Sequence, residues 1–88
     1  MIRKSMVVAI KGGLEARPIA ELVQVASKYD SKIYIEIGTK RVNAKSIMGM
    51  MSLDLGAGDV MNVSAEGVDE QAAIDDIESF VTGTRTKQ

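Results

Sequence analysis

The stretch KIYIEIGTKRVN, residues 32–43, alternates apolar and polar side chains, turns, and runs back. Ile33, Ile35 and Ile37 set against Lys32, Tyr34 and Glu36 give the two-residue period of a half-buried strand. Gly38-Thr39 reads as a hairpin turn, and Lys40–Asn43 as a short polar return strand. A hairpin with one apolar face needs a layer to cover it, and the flanking sequence supplies helices.

Upstream, Ala16, Ile19, Ala20, Val23 and Ala26 recur at helical spacing, with Pro18 in the first turn and Lys28 in the last. Before that helix, IRKSMVVAI at residues 2–10 puts Ile2, Met6, Val8 and Ile10 on one alternating face, a strand ended by Gly12-Gly13. Downstream, KSIMGMMSLDL at 45–55 predicts a short helix with Ile47, Met48, Met51 and Leu55 on roughly one side. Gly56–Asp59 is a loop, and VMNVSAEG at 60–67 is the last strand. Asp69 is expected to cap a final helix that buries Ala73, Ile74, Ile77, Phe80 and Val81 and leaves Glu70, Asp75, Asp76 and Glu78 in solvent. The order is strand, helix, strand, strand, helix, strand, helix. It predicts an α+β open sandwich, three helices on one face of a four-stranded antiparallel sheet. Ferredoxin-like topologies share much of this order, and the pattern alone does not separate the two. A single domain is expected over 1–82, with a flexible polar tail over 83–88.

Composition removes whole classes of chemistry. Among the 88 residues there is neither cysteine nor histidine, so thiol chemistry, disulfides and the commonest general base are absent. A net charge of −1 and an aromatic content of 3% argue against a nucleic-acid surface, and Lys40, Arg41 and Lys45 are too few to make one. No apolar run approaches the ~20 residues that span a bilayer, and no leader opens the chain, so a cytoplasmic protein is expected. Asp75 and Asp76 are adjacent rather than spaced as a calcium loop requires, so no metal site is expected.

Two segments remain that can carry chemistry. GGLEARP, residues 12–18, looks like an anion-binding loop feeding a helix, yet it carries its own anion, Glu15. Two unit charges about 4 Å apart repel by roughly 4 kcal/mol at an effective dielectric of about 20, so an incoming phosphate is disfavoured there. The plainer reading is a helix start stabilised by its own acid. In the second segment, Ser46 is placed as an N-cap, and Lys45 precedes it. The cap is a complete account of that serine, but the same geometry also receives a phosphate. Ile47, Met48, Met50 and Met51 are more apolar side chains than a two-turn helix buries on one face, so some are expected to stay exposed.

GLEARP, LVQVASKYDS, VNAKSIMGMMSL and the acid-capped helix after Glu66-Gly67 together resemble the HPr family of the bacterial phosphoenolpyruvate-dependent sugar phosphotransferase system. The resemblance runs from the first strand to Phe80 and implies the same open-faced β-sandwich. Members carry a phospho-acceptor histidine in G-[LI]-H-[AS]-R-P; here Glu15 occupies that position, while Ala16, Arg17 and Pro18 match the phosphate site. Ser46 matches the regulatory serine of HPr kinase/phosphorylase. Ile47, Met48 and Met51, with Ala20, Val23, Gln24 and Lys45, match the partner-docking surface.

Loss of the histidine with retention of the serine looks like the Crh branch, usually drawn with glutamine in place of Glu15. That likeness implies a regulator of carbon catabolite repression whose Ser46-phosphorylated form binds a LacI-type repressor as corepressor. It implies no cofactor and no catalytic activity of its own. Glu15 is expected to pair with Arg17. The alternative is a phosphocarrier that still meets the phosphotransferase enzymes, with Glu15 either an acyl-phosphate relay or an engineered change. A monomer is expected, with a strand-swapped dimer left open.

Overall fold

In the computed structural model, which describes residues 1–83, the expected elements appear in the expected order. They are β1 (Ile2–Val7), α1 (Ala16–Ser27), β2 (Lys32–Ile37), β3 (Lys40–Asn43), α2 (Ile47–Met51), β4 (Val60–Glu66) and α3 (Glu70–Val81). The flexible tail expected at 83–88 lies, beyond Gly83, outside the described residues.

The sheet is antiparallel throughout, in the order β1-β4-β2-β3. β2 and β3 stay together as the hairpin read from 32–43, and β4 inserts between β1 and β2, pairing Ile2 with Ala65 and Ile33 with Ala65. This order is the open sandwich, not the ferredoxin-like alternative. Strand alternation then sorts the side chains. Met6, Ile33, Ile35, Met61, Val63 and Ala65 are all buried on one face. α1 covers that face with Ile19, Leu22, Val23 and Ala26, and α3 with Ala73, Ile74, Ile77 and Val81. The other face is polar: Arg3 of β1 and Arg41 of β3 both reach Glu36 of β2, and Arg41 stacks 4.0 Å from the centre of the Tyr34 ring.

Two elements are shorter than the apolar pattern predicts. β1 stops at Val7 rather than Ile10, because the next amides leave β4: Val8 donates to the Asp59 carbonyl (2.8 Å) and Ala9 to that of Val81 (2.9 Å). Val8 is still fully buried, so alternation marks the core correctly past the end of the ladder. α2 ends at Met51 rather than Leu55. The Ser52 hydroxyl donates to the Gly49 carbonyl (2.6 Å) and the Lys40 ammonium to the Ser52 carbonyl (2.8 Å), closing the helix there. Leu53 and Leu55 reach the core from irregular backbone.

Several residues at α3 depart from expectation. Glu70 and Glu78, expected in solvent, are half-buried and paired with the amino group of Met1 and with Lys4. Phe80, expected in the core, is half-buried at its edge. Asp69 sits at the N-cap, but its side chain makes no capping bond. It accepts instead from the amides of Asp30 (2.9 Å) and Ser31 (3.0 Å) and from the Ser31 hydroxyl, so it ties α3 to the start of β2. Asp76, expected in solvent, is half-buried, accepting from the Tyr29 hydroxyl (2.7 Å) and pairing with Lys28 (3.3 Å). An aromatic hydroxyl at the end of α1 draws the acid inward.

Candidate functional site

The loop before α1 is built on close backbone contact. Gly13 has a φ of 77°, a left-handed conformation, and a Cβ there would lie 2.6 Å from the Leu55 carbonyl oxygen. Its amide donates to the Ile10 carbonyl (2.8 Å), and that of Leu14 donates to the Leu55 carbonyl (2.9 Å). Leu14, only 4% exposed, anchors the loop in the core. The segment before α1 is thereby fastened to the segment after α2.

Glu15 is the N-cap of α1 in extended conformation (φ −89°, ψ −171°), its carbonyl accepting from the Ile19 amide at 2.9 Å. Its carboxylate makes no capping bond. Glu15, Ala16 and Arg17 are exposed and Pro18 is half-buried. The pairing expected between Glu15 and Arg17 is absent: neither side chain takes part in the ion pairs of the described residues. Residues two apart at a helix start do not face each other, which accounts for the difference. Glu15 does not cap the helix with its side chain, and the residue is exposed.

The second segment matches its reading closely. Ser46 is the N-cap of α2, and its Oγ accepts from the Gly49 amide at 3.2 Å. The Asn43 side chain accepts from the Lys45 amide (2.8 Å) and the Asn43 carbonyl from that of Ser46 (3.0 Å), shaping the turn into the helix. A five-residue helix does not hold itself in water, so α2 depends on its surroundings. Met50, 0% exposed, plugs it into the core, and lysines fasten both ends: Lys40 at the Ser52 carbonyl and Lys45 at the Tyr29 carbonyl (2.6 Å).

The apolar excess of α2 divides as expected, with Met50 inside and three residues outside. Ile47 is 52% exposed, Met48 86% and Met51 49%. α1 packs against α2, leaving Gln24 exposed and Ala20 half-buried. Val23, expected on the docking surface, belongs to the core at 7% exposed. The helical period that placed it on the apolar stripe was the better guide. Lys45 is half-buried and committed in part to Tyr29, so it is less free a cation beside Ser46 than its position implies. Lys40 and Asn43 support α2 without having been singled out. An asparagine two residues before Lys45 is a turn signal that points to the second of them.

Among the described residues no cluster of three or more His, Cys, Asp or Glu side chains is arranged to hold a metal ion. No helix among them is long and apolar enough to cross a membrane.

Comparison with known proteins agrees with this geometry. The family model for the PTS HPr component phosphorylation site matches residues 2–83. HPr-like protein Crh of Halalkalibacterium halodurans is 47% identical over 81 residues, 92% of this chain and 96% of that protein. Among solved structures, HPr from Thermoanaerobacter tengcongensis superposes with a TM-score of 0.88 at 44% identity, covering 98% of this chain and all of that one. Crh from Bacillus subtilis, described as a domain-swapped dimer, superposes with a TM-score of 0.79 at 39% identity, covering 99% of this chain and 100% of that one. With this fold, these matches and their coverage, the chain belongs to the HPr family and is a Crh-like member of it.

Proposed function

We propose that this protein is a cytoplasmic regulator of carbon catabolite repression, switched by phosphorylation of Ser46 by HPr kinase/phosphorylase. The phosphorylated form then binds a LacI-type repressor as corepressor, and the protein has no catalytic activity of its own. One observation carries the reading. A histidine-free chain of this family keeps a hydroxyl at the head of α2, directly beside three exposed apolar side chains, Ile47, Met48 and Met51. The acceptor position is filled by an exposed glutamate, and a carboxylate is a poor phosphoryl acceptor whose acyl phosphate is short-lived. Group transfer at Glu15 is therefore lost, and regulation passes to Ser46.

Phosphorylation adds roughly −1.5 to −2 charges and three acceptor oxygens next to an apolar surface. A basic partner reads the anion, while the apolar side chains supply contact area. Arg17 adds positive charge near the loop, and Gln24 and Ala20 extend the surface along α1. The test is mass spectrometry after incubation with HPr kinase and ATP, followed by repressor binding. One added phosphate that disappears in Ser46→Ala, with repressor binding confined to the phosphorylated form, is the expected result. An unmodified Ser46 overturns the reading.

A phosphocarrier is the second reading, favoured by the retained Arg17 and Pro18 at the phosphate site. Incubation with phosphoenolpyruvate and the general phosphotransferase enzyme distinguishes it: label held on this chain, and passed on, supports a carrier. Such a relay runs through an acyl phosphate on Glu15.

A further inference from the structure

All the sulfur of this chain sits in methionine, six residues with no cysteine among them. Their surroundings divide them sharply. Met6, Met50 and Met61 are 3%, 0% and 0% exposed, closed inside the core. Met48 and Met51 are 86% and 49% exposed and stand three residues apart on α2, where that spacing puts them on one face. Ser46 caps the same helix. Met1, also exposed, lies elsewhere, with its amino group on Glu70 of α3.

We propose that Met48 and Met51 form a reversible oxidation site, at which a peroxide converts the apolar surface beside Ser46 into a polar one. A thioether lone pair attacks one peroxide oxygen, so an S–O bond forms as the O–O bond breaks. With the proton transfers complete, the other oxygen leaves as water. The sulfur loses two electrons and the peroxide gains them. Reversal by a thiol-dependent methionine sulfoxide reductase returns the oxygen as water and leaves the reductase thiols as a disulfide. The protein supplies no base and no cofactor to either step; it supplies access. With no thiol in the chain, no cysteine draws peroxide away from these thioethers.

The position of the two residues makes the change local. Their side chains stand outside, while the neighbouring Met50 that holds α2 to the core is sealed from the oxidant. A sulfoxide is a polar, chiral group in place of a flexible apolar one, and burying it against a partner without a hydrogen bond is unfavourable. Oxidation therefore removes docking without unfolding the domain. This consequence rests on the reading of α2 as the docking face.

The experiment exposes folded protein to hydrogen peroxide and maps sulfoxides by peptide mass spectrometry. Met48 is expected to react first, with exposed Met1 and Met51 following, while Met6, Met50 and Met61 stay reduced and the circular dichroism is unchanged. Buried methionines reacting as fast as Met48 overturn the proposal. Retention on a hydrophobic-interaction column and repressor affinity of the Ser46-phosphorylated protein are then compared before and after peroxide. Retention is expected to drop and affinity to fall roughly tenfold, both returning after reductase treatment. In the Met48→Leu, Met51→Leu double variant, affinity should be the same before and after peroxide, and any change in retention should be no larger than oxidation of exposed Met1 produces. Unchanged retention and affinity after oxidation overturn the proposal. If untreated phosphoprotein does not bind repressor at all, the corepressor reading fails, and column retention alone decides the oxidation site.

Discussion

Asp69 holds Ser31 twice, through the serine amide at 3.0 Å and through its hydroxyl, and Ser31 is fully buried at the junction of β2 and α3. The Ser31 hydroxyl, then the Asp30 amide, keep the Asp69 carboxyl below its ordinary value of 3.8. Next along the chain, the Gly67 amide and then the chain's amino terminus keep Glu70 below its ordinary 4.5.

Acid sensitivity follows from that pair. Both carboxyls are more acidic folded than unfolded, so their contribution is complete above the ordinary values and is lost as pH falls through the lowered ones. Urea midpoints measured from about pH 7 to about pH 3 should drop most steeply below the ordinary carboxylate range. Asp69→Asn should lower the midpoint at neutral pH and flatten that acid limb. An unchanged limb removes Asp69 from the account.

Neighbouring methionines of α2 should respond oppositely to the same truncation. Met50→Ala empties a fully buried site and is expected to cost about 2–5 kcal/mol. Met48→Ala removes an 86% exposed side chain and should stay within about 0.5 kcal/mol. Chemical denaturation of the two variants compares them directly, and repressor binding of the phosphorylated forms should rank them the other way, with folded Met48→Ala the weaker binder.

Adjacent glycines of the loop before α1 provide a similar contrast. Both have positive φ, 84° at Gly12 and 77° at Gly13, but only at Gly13 would a Cβ meet backbone, the Leu55 carbonyl at 2.6 Å. Gly12→Ala is expected to cost about 1–2 kcal/mol from conformation alone. Gly13→Ala should cost more, and amide chemical shifts should move on both sides of the junction, at Leu14–Arg17 and at Leu55–Ala57.

Glu15 should be silent in stability and decisive in chemistry. Its carboxylate is exposed and makes neither a capping bond nor an ion pair, so Glu15→His should change stability by no more than about 0.5 kcal/mol. With phosphoenolpyruvate and the general phosphotransferase enzyme, the histidine variant should take up label at the new imidazole while the parent protein takes up none. A histidine variant that stays unlabelled would show that more than the acceptor has been lost.

Most of the architecture is legible in residue pattern because hydrophobic period and turn chemistry agree along the chain. Ile33, Ile35 and Ile37 mark β2, and Ser46 marks the head of α2, each by a local rule. Several misreadings of the fold depended on a partner distant in sequence. β1 stops at Val7 because Asp59 and Val81 claim the next amides, and α2 stops at Met51 because Lys40 and Ser52 close it. Asp69 looks like a cap by position but finds Ser31 across the fold. At the candidate site, the apolar surplus on α2 was readable by counting. Val23 was not assignable to the surface, and the Glu15–Arg17 pair was inferred from proximity in sequence where helix geometry separates them.

β4 lies between β1 and β2, so the first strand has no edge to join until the chain has been made as far as Glu66. During synthesis on a ribosome, only the β2–β3 hairpin and the early helices have nearby partners, and β1 waits unpaired as the intervening residues emerge. A chain that ends before Val60 lacks the strand that pairs with both β1 and β2, so its sheet cannot be completed in the native order.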